Sequence, residues 1–427
     1  MTQLSERLQS GAPARAEAAA PQPGRRLGWL DALRGVAALG VVFQHAGPTW
    51  LWPQYNVVHQ KIDLGIFGVF LFFLVSGYIV PASLERRGDV RAFWVGRIFR
   101  LLPLFVVVVA VARLLPERYA AVGAGVYPGF WPTGAANLLM LPDLLGLNGA
   151  LRVAWTLSYE MVFYFLVTAL FVFGRHRLSG PIAVGFAAVA VFAGAALPLG
   201  MLSAGADATG RLVAVVAAIV VVALTCILRG NRTVIRIGAV LLAGLALTLI
   251  FLNSRSAGFE TMMILATMFA GTAIYRAEQG QIGRLQAVAC CGLVLVGGLV
   301  AGTQQGPQYL NRIWSASAAS WCTAFGAAWM LFLVAWLLRR YSVPRFLSWL
   351  GTISYAVYLI HVPLLNWIDW LFADLHFQPH GRLQAGLCFC GFVAALCGVS
   401  YLAHRLVELP AQKLGRRLLR GPATVAG

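Results

Sequence analysis

Four stretches of this chain set ionisable or hydroxyl side chains inside otherwise apolar sequence. In LDALRGVAALGVVFQHAG, Arg34 and His45 are eleven residues apart. At about 3.6 residues per turn this is close to three turns, so both side chains share one side of a helix, about 16 Å apart along its axis. In RAFWVGRIFRLLPLF, Arg97 and Arg100 have i, i+3 spacing and share a helix face. The apolar run there begins near residue 99, which places the pair at a helix N-terminus. Free N–H groups at such a position already favour anions, and two guanidinium groups added to them suit phosphate. In AWTLSYEMVFYF, Glu160 is a carboxylate in an apolar run, preceded by Ser158 and Tyr159. It needs a basic partner or a proton. In GTISYAVYLIHVPLL, Ser354, Tyr358 and His361 fall at i, i+4 and i+7, a single helical stripe whose polar tips face a bundle interior.

Each pattern also has a structural explanation. His45 fits a satisfied interfacial histidine, and Arg34 a snorkelling side chain paired with Asp31. The Arg97/Arg100 pair fits anchoring on the positively charged side of a membrane. Glu160 fits an ion pair with Arg152. The stripe at 354, 358 and 361 fits a hydrogen-bonded packing seam as well as one wall of a substrate tunnel. Charges within a bilayer are expensive and usually functional, so the recurrence of such positions carries weight.

The elements that must hold these residues are membrane helices. Of 427 residues, 59% are hydrophobic and only 11% are charged, with a mean hydropathy of +0.76. An ordinary soluble domain carries about 25% charged residues, so a water-soluble enzyme is excluded. Twelve apolar runs reach the roughly 20 residues that a spanning helix requires. They are 29–47, 64–82, 99–115, 153–173, 181–200, 211–228, 234–252, 259–275, 285–302, 317–338, 350–371 and 384–404. The backbone of a span must satisfy its own hydrogen bonds, so these runs are helices. The fold class is all-α, a polytopic transmembrane bundle of ten to twelve spans. The middle runs, 181–252, consist almost wholly of Ala, Val, Leu, Ile and Gly and suit a packing scaffold.

The formal net charge of +18 raises a nucleic-acid partner, but its distribution argues against one. With the N-terminus cytoplasmic and the spans alternating, 24 of the 33 Lys and Arg fall on the inner side and eight on the outer side, with Arg34 inside the first span. This is the positive-inside pattern, and these residues set orientation or meet anionic head groups. The partners expected are membrane lipids and no nucleic acid. Both termini are expected to be cytoplasmic. The seven cysteines lie in or beside apolar runs with no metal-ligand spacing, which predicts structural roles and no metal site.

Three regions follow. Residues 1–28, rich in Ala, Pro, Gln and Arg, read as a disordered cytoplasmic tail. A signal peptide is the rival reading, but Asp31, Arg34 and His45 in the apolar stretch favour a retained span. Residues 29–408 form the transmembrane domain, and 409–427 a basic cytoplasmic tail. The segment 116–152, with Tyr127, Pro128, Phe130, Trp131 and Pro132, suits a folded or re-entrant loop. No internal repeat is visible, which weakens a transporter built from duplicated halves.

Taken together, these stretches resemble acyltransferase family 3, bacterial membrane O-acyltransferases that modify cell-surface and other carbohydrates. The resemblance rests on the Arg34-x10-His45 spacing, FGVFLFFLVSGY with Ser76 and Gly77, the RxxR of Arg97 and Arg100, WTLSYEMVFYF with Glu160, and ISYAVYLIHVPLL, in that order. It is specific over about 29–173 and 345–366. It implies an acetyl-CoA-dependent O-acyltransferase of the bacterial inner membrane, with no bound cofactor and acyl-CoA, most simply acetyl-CoA, as cosubstrate. The acceptor would be a hydroxyl of a glycan or glycolipid. His45 would be the general base, or would carry the acyl group itself, and Glu160 would orient it or bind the acceptor. Arg34, Arg97 and Arg100 would hold the CoA, and Ser76, Tyr159, Ser354, Tyr358 and His361 would line the substrate path. Some members add an extracytoplasmic hydrolase-like domain; in this sequence the membrane domain is expected to do the work. A secondary transporter or flippase of a lipid-linked or small polar substrate is the alternative class.

Overall fold

The computed structural model describes residues 28–114, 129–254, 257–310 and 315–420. The expected tail before Gly28, Tyr127 and Pro128 of the long segment, and Arg118, Arg255 and Arg312 lie outside the described residues. Among the described residues the chain is helical, with no strand. In order the helices are α1 (Gly28–Trp50), α2 (Trp52–Lys61), α3 (Leu64–Arg87), α4 (Val90–Ala112), α5 (Phe130–Leu138), α6 (Trp155–Val172), α7 (Ser179–Ala193), α8 (Ala206–Arg229), α9 (Arg232–Leu252), α10 (Gly258–Glu278), α11 (Arg284–Gln305), α12 (Ala318–Leu337), α13 (Arg345–Asp374), α14 (Gly381–Ala403) and α15 (Leu409–Arg420).

Eleven of them, α3, α4 and α6 to α14, are long and apolar enough to cross a membrane. At 23 residues α1 matches them in length. Asp31, Arg34, Gln44 and His45 interrupt its apolarity, as a helix carrying functional groups requires. The chain is thus a multi-pass helical bundle. The boundaries are set by local chemistry. The Asp63 side chain accepts from the Ile66 amide at 2.9 Å and starts α3. Gly88, at φ +63°, ends α3 in the left-handed region that glycine tolerates. The Asp89 side chain then accepts from the Arg91 amide at 2.8 Å and starts α4.

At the centre stands α10, in which every residue from Gly258 to Ala273 is buried. It packs on α3, α7 and α11, and α1 lies between α3 and α13. In lipid, apolar surface gives helices little reason to associate, so close backbone approach at small residues takes over. A Cβ on Gly77 would stand 2.0 Å from the Met268 carbonyl oxygen, so α3 and α10 touch through their backbones there. Thr272 Oγ1 reinforces the crossing by donating to the Gly77 carbonyl at 2.8 Å. At the other crossing, a Cβ on Gly351 would stand 1.8 Å from the Asp31 carbonyl oxygen. The rings of His45 and His361 meet further along the same two helices, so α1 and α13 run parallel.

The long segment is folded where it is described. After α5, Leu141, Leu144, Leu145, Leu147 and Leu151 are buried, while Phe130 and Trp131 remain exposed.

Two outcomes follow. Gly351→Val forces α13 off α1 and lowers stability by at least about 2 kcal/mol, read as a fall in thermal midpoint in detergent. Gly244→Ala, where an added Cβ meets open space, leaves that midpoint unchanged or raised. The second concerns Asp63, which precedes α3, accepts from Ser315 Oγ at 2.8 Å and lies 3.9 Å from His59 Nδ1. Burial pushes its carboxyl above the usual carboxylate range despite these donors. The folded state therefore binds this proton more tightly than the unfolded state, and stability falls as pH rises through the folded value. Asp63→Asn removes the titration, so its thermal midpoint varies less from acid to neutral pH than that of the wild type.

Candidate active site

A cavity of about 90 Å³ lies among α1, α3, α4, α6 and α13. Its polar wall holds Arg34 from α1, Ser76 from α3, Arg97 and Arg100 from α4, Thr156, Glu160 and Tyr164 from α6, and Ser354, Tyr355 and Tyr358 from α13. The remaining wall is aliphatic and aromatic, including Val69, Phe72, Ile79 and Leu101. Side chains more than 300 positions apart in the chain thus converge on one small space.

The helix that presents the arginine pair corrects one expectation. α4 starts at Val90, not near residue 99, because the Asp89 cap precedes it and Val90, Phe93, Trp94, Arg97 and Leu101 recur at helical spacing as buried residues. Arg97 and Arg100 therefore sit about two to three turns inside α4, where the backbone amides are already bonded. Anything they bind is held by their side chains. Arg97 is buried, its guanidinium 5.2 Å from the centre of the Phe93 ring and 5.0 Å from that of Tyr164. Such stacking suits the planar, weakly hydrated guanidinium. Arg97 also donates to Tyr164 Oη at 3.4 Å, and Tyr164 donates in turn to the Glu160 carboxylate. The carboxylate thus has a partner from its own helix, one turn on.

Arg34 lines the same cavity, and its Nη1 is 4.0 Å from Asp31 Oδ1, the outer limit of an ion pair. On α13, Ser354 Oγ donates to the Gly351 carbonyl at 2.9 Å. Tyr355 Oη donates to the Leu101 carbonyl at 2.8 Å. Tyr358 Oη donates to the Val153 carbonyl at 3.0 Å and meets Thr156 Oγ1 at 2.8 Å. The stripe is therefore a packing seam and a cavity wall at once, since Ser354 and Tyr358 also line the space.

Three expected site residues lie outside the cavity. Tyr159 is turned away from Glu160, its hydroxyl 3.2 Å from Asp143 Oδ2 and 3.3 Å from Thr261 Oγ1. Adjacent residues on a helix point about 100° apart, and Tyr159 follows its hydroxyl partners away from the cavity that Glu160 lines. His361 is fully buried behind Tyr358, the two ring centres 6.0 Å apart. His45 stands one ring further, with its centre 5.1 Å from that of His361. His45 Nδ1 lies 3.5 Å from the Val41 carbonyl. The arginines and the histidines thus form two groups: Tyr358 lines the cavity of the first and lies beside His361 of the second.

Sequence reasoning missed Tyr164, Thr156 and Tyr355. The i, i+4 spacing of Glu160 and Tyr164 was the available signal. It also missed the turn after α14, a π-helical segment from His404 to Glu408 in which the buried His404 Nδ1 lies 3.0 Å from Glu408 Oε2. Beyond it α15 lies on α4, with Gly415 against Phe99.

The chain is similar to known O-acetyltransferases. A candidate O-acetyltransferase of Staphylococcus aureus (strain COL) is 28% identical over 151 residues, covering 32% of this chain and 23% of the relative. The O-acetyltransferase OatA of Staphylococcus aureus (strain NCTC 8325) is 28% identical over 169 residues, 36% of this chain and 26% of that protein. The similarity thus spans about a quarter of the length of these relatives. No solved structure matches the chain. The model of the acyltransferase domain of acyltransferase family 3 matches residues 27–209 and 212–404, nearly the whole membrane bundle. It therefore covers α1, α3, α4, α6 and α13, the five helices that wall the cavity, and the chain belongs to this family.

Proposed function

We propose that this protein is a membrane-embedded O-acyltransferase of the bacterial inner membrane. It moves an acetyl group from cytoplasmic acetyl-CoA to a hydroxyl of a cell-surface or lipid-linked glycan, with His45 as general base. The observation that carries the reading is the convergence of Arg34, Arg97, Arg100 and Glu160 on one cavity whose other wall is apolar. CoA has a multiply charged nucleotide and a thin, largely neutral arm. Such a ligand needs cations at one end of its site and apolar walls along the rest. The guanidinium groups match the phosphates as charge-assisted donors. Family membership and the O-acetyltransferases among the relatives favour acyl transfer over transport.

The division into two groups supports a division of the steps. Arg97 and Arg100 hold the phosphates, and Arg34 holds the arm further along. The thioester passes the contact between Tyr358 and Thr156, which must part, and reaches the histidines. There His45 takes the proton from the acceptor hydroxyl, the oxygen attacks the thioester carbon, and the thiolate leaves. An imidazole suits this work because its ordinary pKa, near 6.5, lies close to operating pH. Glu160, already bonded to Tyr164, keeps the arginine end of the cavity electrically balanced or meets the acceptor. Ser76, Ser354 and Tyr358 offer hydroxyls along the path.

Release of CoA from acetyl-CoA by the purified protein tests the reading. His45→Ala lowers that rate at least about 100-fold. An unchanged rate would remove the base from the mechanism. Arg100→Ala raises KM for acetyl-CoA about tenfold or more, since a hydrogen bond to a charged group is worth about 1.5–3 kcal/mol, with a smaller effect on kcat. Arg97→Ala does the same and also lowers the thermal midpoint, because Arg97 is packed between Phe93 and Tyr164. Movement of a substrate across the membrane without CoA release would favour a transporter instead.

A further inference from the structure

We propose that His361 is the positioning partner of His45. Its Nε2 lone pair receives the second ring N–H of His45 while that ring holds the proton taken from the acceptor. This rests on the reading of His45 as base.

His361 has no exposed surface, and its Nδ1 lies 3.1 Å from the Val357 carbonyl oxygen. A carbonyl oxygen only accepts, so Nδ1 carries the hydrogen and Nε2 is left as a bare acceptor. That Nε2 is buried and has no hydrogen-bond partner. An orphaned acceptor in a packed interior costs about 1–3 kcal/mol. Its retention is explained by a state in which it is paired.

The neighbourhood names the donor. The ring of His45 stands 5.1 Å away at 68°, edge to face. The other neighbouring ring is Tyr358, whose hydroxyl is already committed to Val153 and Thr156. The ionisable groups acting on His45 are His361 from α13 and Arg152 from the turn before α6. Glu160, the carboxylate of the site, is engaged by Tyr164 in the cavity. A base commonly has an orienting acceptor behind it, and here the neutral imidazole of His361 takes that place. The contact of His45 Nδ1 with Val41, at 3.5 Å, is too long to hold the ring. A small rotation redirects that N–H to His361.

The proton count closes. The acceptor O–H bond breaks and its proton goes to the free nitrogen of His45. The oxygen bonds the acyl carbon, the C–S bond breaks, and the thiolate takes the proton back from His45. His361 accepts a hydrogen bond throughout and ends unchanged.

The test uses the full-length protein in liposomes with acetyl-CoA and a total membrane glycolipid extract as acceptor pool. His361→Phe keeps a ring but removes the acceptor. It lowers kcat for CoA release about 10- to 100-fold, leaves KM for acetyl-CoA within about threefold, and moves the acid limb of the kcat profile to lower pH. His361→Gln, whose side-chain oxygen reaches near the Nε2 position, restores most of the rate and the limb. If the Phe variant does not fold, His361→Leu takes its place. An unchanged kcat, or a loss without limb movement that Gln fails to rescue and that tracks the thermal midpoint, overturns the proposal. If His45→Ala is itself fully active, the reading of His45 as base fails along with it. An inactive His45→Ala beside a fully active His361→Phe overturns the partnership alone.

Discussion

The site depends on how a guanidinium is kept inside an apolar bundle. Arg97 is almost wholly removed from solvent, and a charge in that position needs both a polarisable bed and a hydrogen-bond partner. The rings of Phe93 and Tyr164 supply the first, and the Tyr164 hydroxyl the second, relaying to Glu160. That short chain ties α4 to α6. Without it, the lowest-energy course for Arg97 would be to turn its head towards the membrane surface, and the cavity would lose its cationic wall.

Holding such a chain in place requires helices that do not slide. Large side chains can repack, but two backbones in contact have one register. The crossings at Gly77 and Gly351 are of this kind, and each lies beside a cavity residue. Ser76 immediately precedes Gly77, so the contact that fixes α3 on α10 also turns Ser76 into the cavity. Ser354 follows Gly351 by one turn and bonds back to its carbonyl. The SGY and GTISY stretches therefore join a packing glycine to a site hydroxyl, and the two cannot be displaced separately.

Much of this was legible in the sequence. Apolar runs located the helices, since a lipid-facing segment of that length has no alternative to helix. Charges set within or beside apolar runs mark Arg34, Arg97, Arg100 and Glu160, and all four line one cavity. The start of α4 lies before the expected one because a membrane criterion ignores the polar turns before an apolar run, and these are helical here by virtue of Asp89 and the buried Phe93 and Trp94. Sequence adjacency groups Tyr159 with Glu160, but the Tyr159 hydroxyl is drawn to Asp143 and Thr261, partners that only the folded bundle brings within reach. Tyr164 was overlooked because a tyrosine in an aromatic-rich run looks like packing until its hydroxyl is seen to have somewhere to go. The position of His45 outside the cavity of the arginines, next to His361, could not be read at all. It depends on how α13 is rotated against α6, which no spacing within one helix reports.

That rotation bears on how such an enzyme would keep water from its donor. A thioester near a base in open contact with the cytoplasm would hydrolyse. Here Tyr358, one of the residues lining the cavity, is held by two hydrogen bonds at its hydroxyl and has its ring beside that of His361. Under the proposed function, the arm of CoA displaces Thr156 from that hydroxyl, so the histidine side becomes accessible only when the donor fills the space behind it. The cationic end can then bind the nucleotide without exposing the base. The contact between Tyr358 and Thr156 would in this way couple donor binding to the chemistry.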